Sequence, residues 1–236
     1  MPSSAIASQF HSIEDTIEAY KNGEFIVVLD DLSRENEGDL IIAAEDLTPS
    51  KMAFMIRYTS GLICAPMTPA LTISLALPQM ISQEDSEDPN RTAYTVSVDA
   101  KSEKTTTGIS AHDRALTCRT LADPESTKES FRRPGHVFPL RAREGGVRER
   151  GGHTEAAVEF CRLAGKRPVG AICELVEDGE EVEGRAERKE PEMMRRDGCL
   201  AFGKRWGLRV CTIEDLVEYV ERKEGKLVKK SVNGVS

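Results

Sequence analysis

The residues best suited to chemistry begin with one short loop in the first part of the chain. Residues 33–39 read Ser-Arg-Glu-Asn-Glu-Gly-Asp, which places an arginine, an amide and three carboxylates close together. Arg34 can neutralise an anion, while Glu35, Glu37 and Asp39 can bind a divalent cation or move protons. A solvated acidic connection explains the same residues equally well, so a chemical role needs support from elsewhere in the chain.

A second polar cluster lies far down the chain, which there reads Arg150-Gly-Gly-His-Thr154. The residues that follow carry an apolar stripe with helical spacing, and Thr154 is predicted to be the N-cap of that helix. A helix N-terminus attracts anions, phosphate above all, and Gly151 and Gly152 let the backbone approach a ligand closely. With His153 at the same entrance, the cluster predicts an anion site. A glycine-rich turn into a surface helix is the alternative, and the spacing matches neither the P-loop nor the dinucleotide fingerprint.

Two further residues are candidates because of where they stand. Glu174 follows the apolar run at residues 169–173, and a carboxylate at the C-terminal end of a strand commonly faces a ligand crevice. A charged strand end that reaches solvent is the alternative for this residue. His136 lies within Pro134-Gly-His-Val-Phe-Pro139, where it either orients a site or is a partly buried structural histidine.

Apolar patterning predicts the elements that position these groups. Runs of strand length at residues 25–30 and 40–43 flank the acidic loop, which makes that loop a rigid mount for polar groups. Strands and helices mix without strict alternation, which predicts a mixed sheet with helices packed on it. Further strands are predicted at residues 62–65, 92–98, 137–140, 169–176 and 208–210. Helices are predicted at residues 12–23, from residue 48, and at residues 110–121, 193–206 and 212–223.

Composition limits the class of protein. The 236 residues suit a single domain, and a net charge of −8 argues against a general nucleic-acid or membrane surface. No apolar run reaches the roughly 18 residues of a membrane span. The six cysteines are widely spread and form no C-x-x-C pair, which favours core thiols in a reducing compartment. With no recognisable signal peptide, we expect a cytoplasmic location. Residues 226–236 are predicted to form a loose tail.

The clusters belong to a longer series of motifs that resembles the 3,4-dihydroxy-2-butanone-4-phosphate synthase family of riboflavin biosynthesis. Several motifs in the family's order are far more specific than any one of them. They span residues 28–40, 57–64, 105–114, 133–140, 145–147, 150–165 and 172–175. The resemblance implies an α+β fold, a three-layer sandwich with a mixed β-sheet covered by helices. It also implies that residues 1–236 form one domain with one activity, in which the charged stretch at residues 177–191 is longer than usual.

The resemblance implies a reaction as well. The family converts D-ribulose 5-phosphate into formate and L-3,4-dihydroxy-2-butanone 4-phosphate, a carbon–carbon lyase reaction that uses Mg²⁺ or Mn²⁺. Each step builds negative charge on an oxygen atom, which a divalent cation can offset. Glu35 and His153 match the family's metal ligands, whereas Glu174 and His136 match positions essential for catalysis. The family works as a homodimer with sites at the subunit interface.

The remaining site residues are assigned by their chemistry. Asp39 and Glu37 are further candidates for proton transfer. Thr107 lies in a hydroxyl-rich loop at residues 105–110 and is predicted to anchor substrate, in its own site or in the partner's. The predicted substrate-binding residues are Arg34, Asp39, Thr107, Arg150, Gly151, Gly152, His153, Thr154 and Glu174.

Two other functions stay open at this point. A different metal-dependent sugar-phosphate lyase or isomerase would use the same cation and phosphate anchor, and release of formate distinguishes the two enzymes. A non-catalytic nucleotide- or RNA-binding module would retain the basic residues without needing Glu35, Asp39 and Glu174 together. Cys64 is predicted to be a packed thiol near the site, or a redox-modified position if it is exposed.

Overall fold

The computed structural model describes residues 9–227. The α-helices in this range are α1 (Ile13–Lys21), α2 (Pro49–Tyr58), α3 (Pro69–Ser74), α4 (Ala111–Ala122), α5 (His153–Leu163), α6 (Arg196–Trp206) and α7 (Ile213–Glu224). The strands are β1 (Ile26–Leu29), β2 (Gly38–Ala43), β3 (Cys64–Met67), β4 (Val98–Ala100), β5 (Phe131–Arg141), β6 (Gly170–Glu174), β7 (Val176–Glu177), β8 (Glu180–Glu181), β9 (Arg188–Lys189), β10 (Glu192–Met193) and β11 (Arg209–Thr212). A loose tail is predicted from about residue 226, and its part beyond residue 227 lies outside the described residues.

One mixed sheet forms the middle layer, with its strands in the order β11-β1-β2-β6-β3-β5-β4. β1 is parallel to β11 and β3 is parallel to β5, whereas the other neighbours are antiparallel. Helices α2, α4 and α6 pack on one face around a core that includes Met52 and Phe202. Helices α1, α5 and α7 cover the other face around Tyr20 and Phe160. This three-layer arrangement confirms the predicted α+β sandwich.

Short polar side chains begin several helices at the predicted residues. Ser12, Thr48, Ser110 and Thr212 each accept a hydrogen bond from the backbone N–H three residues further on. Such caps satisfy N–H groups that have no partner within the helix. The sequence predicts that α6 begins at residue 193. The helix begins at Arg196 because Glu192 and Met193 pair as β10 with β7.

The predicted strand at residues 92–98 is wrong. Tyr94 and Thr95 make isolated bridges there, and regular pairing begins only at Val98 in β4. Thr95 donates both its backbone N–H and its hydroxyl to the carbonyl of Pro139. Proline has no N–H to return a bond, so a ladder cannot continue at this position.

The strand predicted at residues 169–176 divides into two. β6 stays in the main sheet, whereas β7 leaves it to pair with β10. Residues 177–191 then fold back through the antiparallel pair of β8 and β9, and most of their side chains are exposed. Within the described range, no helix combines the length and the apolar character that crossing a membrane requires.

Candidate active site

The sheet brings two predicted carboxylates together. β2 and β6 pair in an antiparallel register that sets Asp39 opposite Glu174. Because side chains alternate across a strand, both lie on the face that also carries Ile41 and Ile172, which α5 covers. The side chain of Asp39 is buried, and that of Glu174 is half-buried. The pair therefore sits at the end of two core strands, at the edge of the buried region.

Asp39 is prepared to hold a proton. Its Oδ1 atom is buried and has no hydrogen-bond partner among residues 9–227. Burial holds the pKa of Asp39 well above the usual aspartate value, and the neighbouring charges of Glu174 and Glu35 raise it further. A carboxyl group of this kind takes up a proton more readily than an ordinary aspartate, and it lies opposite a second carboxyl group, that of Glu174.

His153, the first residue of α5, faces Asp39 with an unprotonated nitrogen. Its Nε2 lies 3.1 Å from the carbonyl oxygen of Val28. A carbonyl only accepts, so Nε2 carries the proton and Nδ1 carries the lone pair. Nδ1 lies 3.6 Å from Asp39 Oδ1 and 3.9 Å from Glu35 Oε2. Burial lowers the pKa of His153 to about 4, so the ring is neutral near neutral pH. A neutral imidazole that faces carboxylates is a suitable metal ligand.

Asp30 shapes the acidic loop from its base. Its Oδ2 accepts hydrogen bonds from Arg34 Nη1 (2.7 Å) and Glu35 N (3.1 Å), and its Oδ1 accepts one from Glu37 N (2.9 Å). Asp30, Glu35 and His153 each offer one ligand atom within 4.8 Å of the others. Protein donors already occupy both oxygens of Asp30, one of them twice. Each oxygen of Glu35 also has one protein donor, but the Glu35 side chain is 30% exposed whereas that of Asp30 is fully buried. Exposure therefore favours Glu35 over Asp30 as the carboxylate partner of His153, and the ligand pair stays a prediction.

Glu35 and its turn are held in place by Arg34, which the sequence singled out, and by Asn90 and Arg195, which it did not. Arg34 Nη1 contacts Glu35 Oε2, and Asn90 Nδ2 donates to Glu35 Oε1 at 2.7 Å. Arg195 Nη1 donates to the carbonyl oxygens of Glu35 (2.9 Å) and Asn36 (3.0 Å). Asn36 has a φ of 53°, a left-handed conformation that asparagine adopts more readily than most residues. Arg195 therefore supports a strained turn beside the predicted ligand.

The N-cap of helix α5 lies two residues before the predicted cap, Thr154. Gly152 is the N-cap, and Thr154 is a buried residue of the first turn. The correction arises because Gly152 has extended backbone angles, which make His153 the first helical residue. A Cβ atom on Gly152 would collide with Arg150 Nη1, so only glycine lets that arginine cross the helix end. No side chain caps this end of α5, which leaves it suited to an anion.

Arg150 is braced by the protein more fully than the sequence indicated. Nη1 donates to Glu155 Oε2 (2.6 Å), Nε to the carbonyl of Asn90 (3.1 Å) and Nη2 to Thr92 Oγ1 (3.0 Å). Glu155 is only 1% exposed and also accepts the backbone N–H of Arg143. One N–H on each terminal nitrogen of Arg150 remains for an anion.

His136 lies on the same sheet face as Glu174, two strands away. The register of β3 with β5 and β6 places His136 and Glu174 at the same height along their strands. Because two strand spacings of ~4.8 Å separate them, their backbones lie about 10 Å apart. His136 Nδ1 donates to Asp99 Oδ2 at 3.0 Å, and His136 N donates to Asp99 Oδ1 at 2.9 Å. Asp99 thus orients the ring and leaves Nε2 available to a ligand.

Thr107 lies near His136 rather than near the predicted metal ligands. It is exposed in the loop that precedes α4, and the neighbouring Gly108 has a φ of +99° and packs against Asp99. The loop is fastened by Asp113, which accepts a hydrogen bond from Thr106 Oγ1 at 2.6 Å. The predicted site residues therefore fall into two neighbouring groups, one around Asp39 and one around His136.

Two residues of the segment that precedes β3 lie next to these groups. Ser60 Oγ lies 2.9 Å from Glu174 Oε2. Cys64 is 1% exposed, which confirms the packed thiol, and burial raises its pKa well above the usual cysteine value. Sequence reasoning missed Ser60, Asn90, Asp99 and Arg195. A weak signal existed for two of them, since Ser60 lies in a motif and Asp99 is a lone carboxylate in an apolar run.

Comparison with known proteins identifies relatives over most of the chain. The family model described as 3,4-dihydroxy-2-butanone 4-phosphate synthase matches residues 14–219. The chain is 66% identical over 220 residues to a protein of that name from Pyricularia oryzae, covering 93% of this chain and 94% of the relative. It is 53% identical over 212 residues to one from Schizosaccharomyces pombe, covering 89% and 97%. A crystal structure of a 3,4-dihydroxy-2-butanone 4-phosphate synthase in complex with two magnesium ions gives a TM-score of 0.90 at 66% identity, covering 92% and 100%.

Proposed function

The chain belongs to the 3,4-dihydroxy-2-butanone 4-phosphate synthase family, and we propose that it carries out the family's chemistry at the carboxylate pair of Asp39 and Glu174. It is a carbon–carbon lyase of riboflavin biosynthesis, which converts D-ribulose 5-phosphate into formate and L-3,4-dihydroxy-2-butanone 4-phosphate. The observation that carries the residue assignment is the register of β2 with β6, which sets a buried carboxyl group opposite a half-buried one beneath His153.

Glu35 and His153 are the proposed protein ligands of a divalent cation, Mg²⁺ or Mn²⁺. The lone pair on His153 Nδ1, the nearby Oε2 of Glu35 and the unpartnered Oδ1 of Asp39 support this assignment. When bound, such a cation polarises the substrate carbonyl and stabilises the oxygen charge that develops beside it. Two protein ligands leave positions for substrate oxygens and water, as magnesium prefers. A 66% identical relative has been solved in complex with two magnesium ions, which supports magnesium as the cation.

Proton transfers are assigned by the charge that each group carries. We assign Glu174 as the base that removes the proton beside the substrate carbonyl. Asp39, whose pKa is raised by burial, would give a proton to the hydroxyl that leaves. Glu37 lies half-buried on the acidic loop, where burial and then the charge of Glu35 raise its pKa, so it can exchange protons with this pair. His136, oriented by Asp99, serves the far end of the reacting carbon chain.

The phosphate group is assigned to the N-terminus of α5. Gly151, Gly152 and Thr154 surround this helix end, whose N–H groups have no side-chain cap. Arg150 adds its two remaining N–H groups, and Arg34 lies next to Gly152 on the side of the acidic loop. An anion here would be bound by charge-assisted hydrogen bonds and by the helix dipole.

A homodimer with sites at the subunit interface is the proposed assembly. Leu62 and Ile109 are large apolar side chains that are 41% and 52% exposed. They flank the region of His136 and Thr107, and Arg114 ties the two segments together by donating to the carbonyl of Gly61 at 2.9 Å. Burial of this patch by a second copy would place Thr107 in a site shared between two chains.

We also propose a single-domain, cytoplasmic enzyme with one activity. Two cores that share one sheet support the single domain, because neither core could form without the strands of the other. Six buried, unpaired cysteines support a reducing compartment.

The test is direct measurement of formate. The purified chain is incubated with ribulose 5-phosphate and Mg²⁺, and formate and the four-carbon phosphate are quantified together. We expect equal amounts of both products and loss of turnover in EDTA, restored by Mg²⁺ or Mn²⁺. Glu35→Gln should require more metal and turn over more slowly, because one ligand charge is removed. Full activity in a rigorously metal-free preparation would disprove the cation's role, and a five-carbon product without formate would indicate an isomerase.

A further inference from the structure

The turn between α2 and β3 is held rigidly against the end of β6. Thr59 Oγ1 donates to the carbonyl of Met55 at 2.6 Å, and Arg114 of α4 donates to the carbonyl of Gly61. Ser60 N donates to the backbone carbonyl of Glu174 at 2.8 Å. These bonds fix the backbone of Ser60 directly beside Glu174. The turn lies within the motif at residues 57–64, to which the proposed reaction assigns no role.

The hydroxyl of Ser60 has a defined direction. Its oxygen accepts the backbone N–H of Leu62 at 3.3 Å, so its own proton is directed elsewhere. Two acceptors are within reach, Glu174 Oε2 at 2.9 Å and Cys173 Sγ at 3.2 Å. The carboxylate is nearer and charged, and a charged acceptor makes the stronger hydrogen bond. Cys173 Sγ in turn contacts the carbonyl of Leu62 at 3.3 Å, which gives the thiol proton its own acceptor.

One oxygen of Glu174 is therefore tied down while the other is free. Within residues 9–227, the carboxylate of Glu174 accepts one hydrogen bond, which comes from Ser60. A half-buried glutamate without such a bond would exchange between rotamers, and proton transfer requires a fixed distance and angle. The bond to Oε2 leaves Oε1 available to accept a proton from the substrate.

We propose that Ser60 is a positioning residue for catalysis, which holds the carboxylate of Glu174 in the orientation that proton removal requires. The proposal rests on the proposed role of Glu174 as the base. Ser60 keeps its own proton throughout and does not touch the substrate. Removal of the Ser60 hydroxyl should therefore slow the proton transfer to Glu174 without weakening the binding of metal or phosphate.

The experiment is a double-mutant cycle on Ser60 and Glu174, with kcat, KM, metal dependence and melting temperature measured for each variant. Ser60→Ala should lower kcat about tenfold, the scale of one lost hydrogen bond, with KM and metal dependence unchanged. Ser60→Thr keeps a hydroxyl at an exposed position and should recover most of kcat. Ser74→Ala is the matched control, since Ser74 is also exposed and bonds only to a helix carbonyl, that of Leu71.

The cycle separates this proposal from the one on which it rests. If Ser60 acts through Glu174, Ser60→Ala should cause no further loss in a Glu174→Gln background. Equal losses in both backgrounds would show that Ser60 acts independently of Glu174 and would overturn the proposal. Wild-type kcat for Ser60→Ala, alongside an inactive Glu174→Gln, would overturn it while leaving the base assignment intact. Full activity of Glu174→Gln would overturn both.

Discussion

His153 and Asp39 lie 3.6 Å apart, and burial shifts the pKa of each group toward its uncharged form. A charged imidazolium beside an aspartate would form an ion pair and leave no lone pair for a cation. Here the ring is neutral, and the hydrogen bond to Val28 turns its free nitrogen toward the carboxylates. The site is thus prepared for a ligand by desolvation, before any ligand binds.

Glu174 provides a test that separates catalysis from folding. Glu174→Gln keeps the size of the side chain and its bond to Ser60 but cannot accept a proton. We expect turnover to fall about a hundredfold or more, the usual scale for a lost general base. The melting temperature should stay the same or rise, because replacing the carboxylate of Glu174 removes one of the charges that oppose ionisation of the buried Asp39. Glu177→Gln is the control, because Glu177 is exposed and lies beyond the end of β6. A large drop in melting temperature with a proportionate loss of activity would make Glu174 structural.

Arg150 should matter for stability as well as for binding. Arg150→Ala leaves the buried carboxylate of Glu155 without its charged partner, which should cost about 3 kcal/mol of unfolding free energy. It should also raise KM for the phosphorylated substrate but not for ribulose itself. Adding Glu155→Gln should restore much of the stability and none of the KM. Urea unfolding and steady-state kinetics check both parts, with exposed Arg185→Ala as the control. An equal rise in KM for both substrates would remove Arg150 from the phosphate site.

At the level of elements, the loop before α4 depends on one buried carboxylate. Burial alone would raise the pKa of Asp113, but hydrogen bonds from Thr106 and Gly108 outweigh it, and the pKa lies below the usual value. A depressed folded-state pKa means that the carboxylate stabilises the fold above its unfolded pKa of about 3.9. That contribution is lost as the pH falls toward the folded-state value.

Asp113→Asn should therefore have a pH-dependent effect. We expect it to lower the unfolding free energy by about 1–3 kcal/mol near neutral pH, with the difference from wild type shrinking below about pH 4. Urea unfolding across this range measures the difference. Asp123→Asn changes an exposed aspartate near the end of the same helix and is the control. A difference in unfolding free energy that stays constant with pH would show that Asp113 acts through shape and not through charge.

At the level of the whole molecule, the proposed homodimer predicts rescue between inactive copies. If the site combines Glu174 of one chain with His136 of another, a mixed dimer of Glu174→Gln and His136→Asn contains one site with both residues intact. Co-purified mixed dimers should then regain turnover that neither variant has alone. Two homodimers mixed without subunit exchange are the control. Absence of rescue in verified mixed dimers would assign His136 and Glu174 to the same chain, which their level positions in one sheet also allow.

The sequence alone determined the parts of this protein that depend on local interactions. Neighbours a few residues apart predict the two strands that flank the acidic loop and the glycines at the start of α5. They also predict the helix caps at Ser12, Thr48, Ser110 and Thr212. The order of the motifs also predicted the family, the reaction and the three-layer fold. These features need no knowledge of which strand pairs with which.

Tertiary structure decided the features that depend on distant parts of the chain. The register of β2 with β6 sets Asp39 opposite Glu174, and a shift of one residue would turn either side chain to the other face. Ser60, Asp99 and Arg195 reach the site only because separate segments fold against it. Residues 92–98 look like a strand, but before Val98 they make only isolated bridges, because Pro139 has no N–H to return to Thr95. Pairing is a property of two segments, so the pattern of one segment cannot specify it.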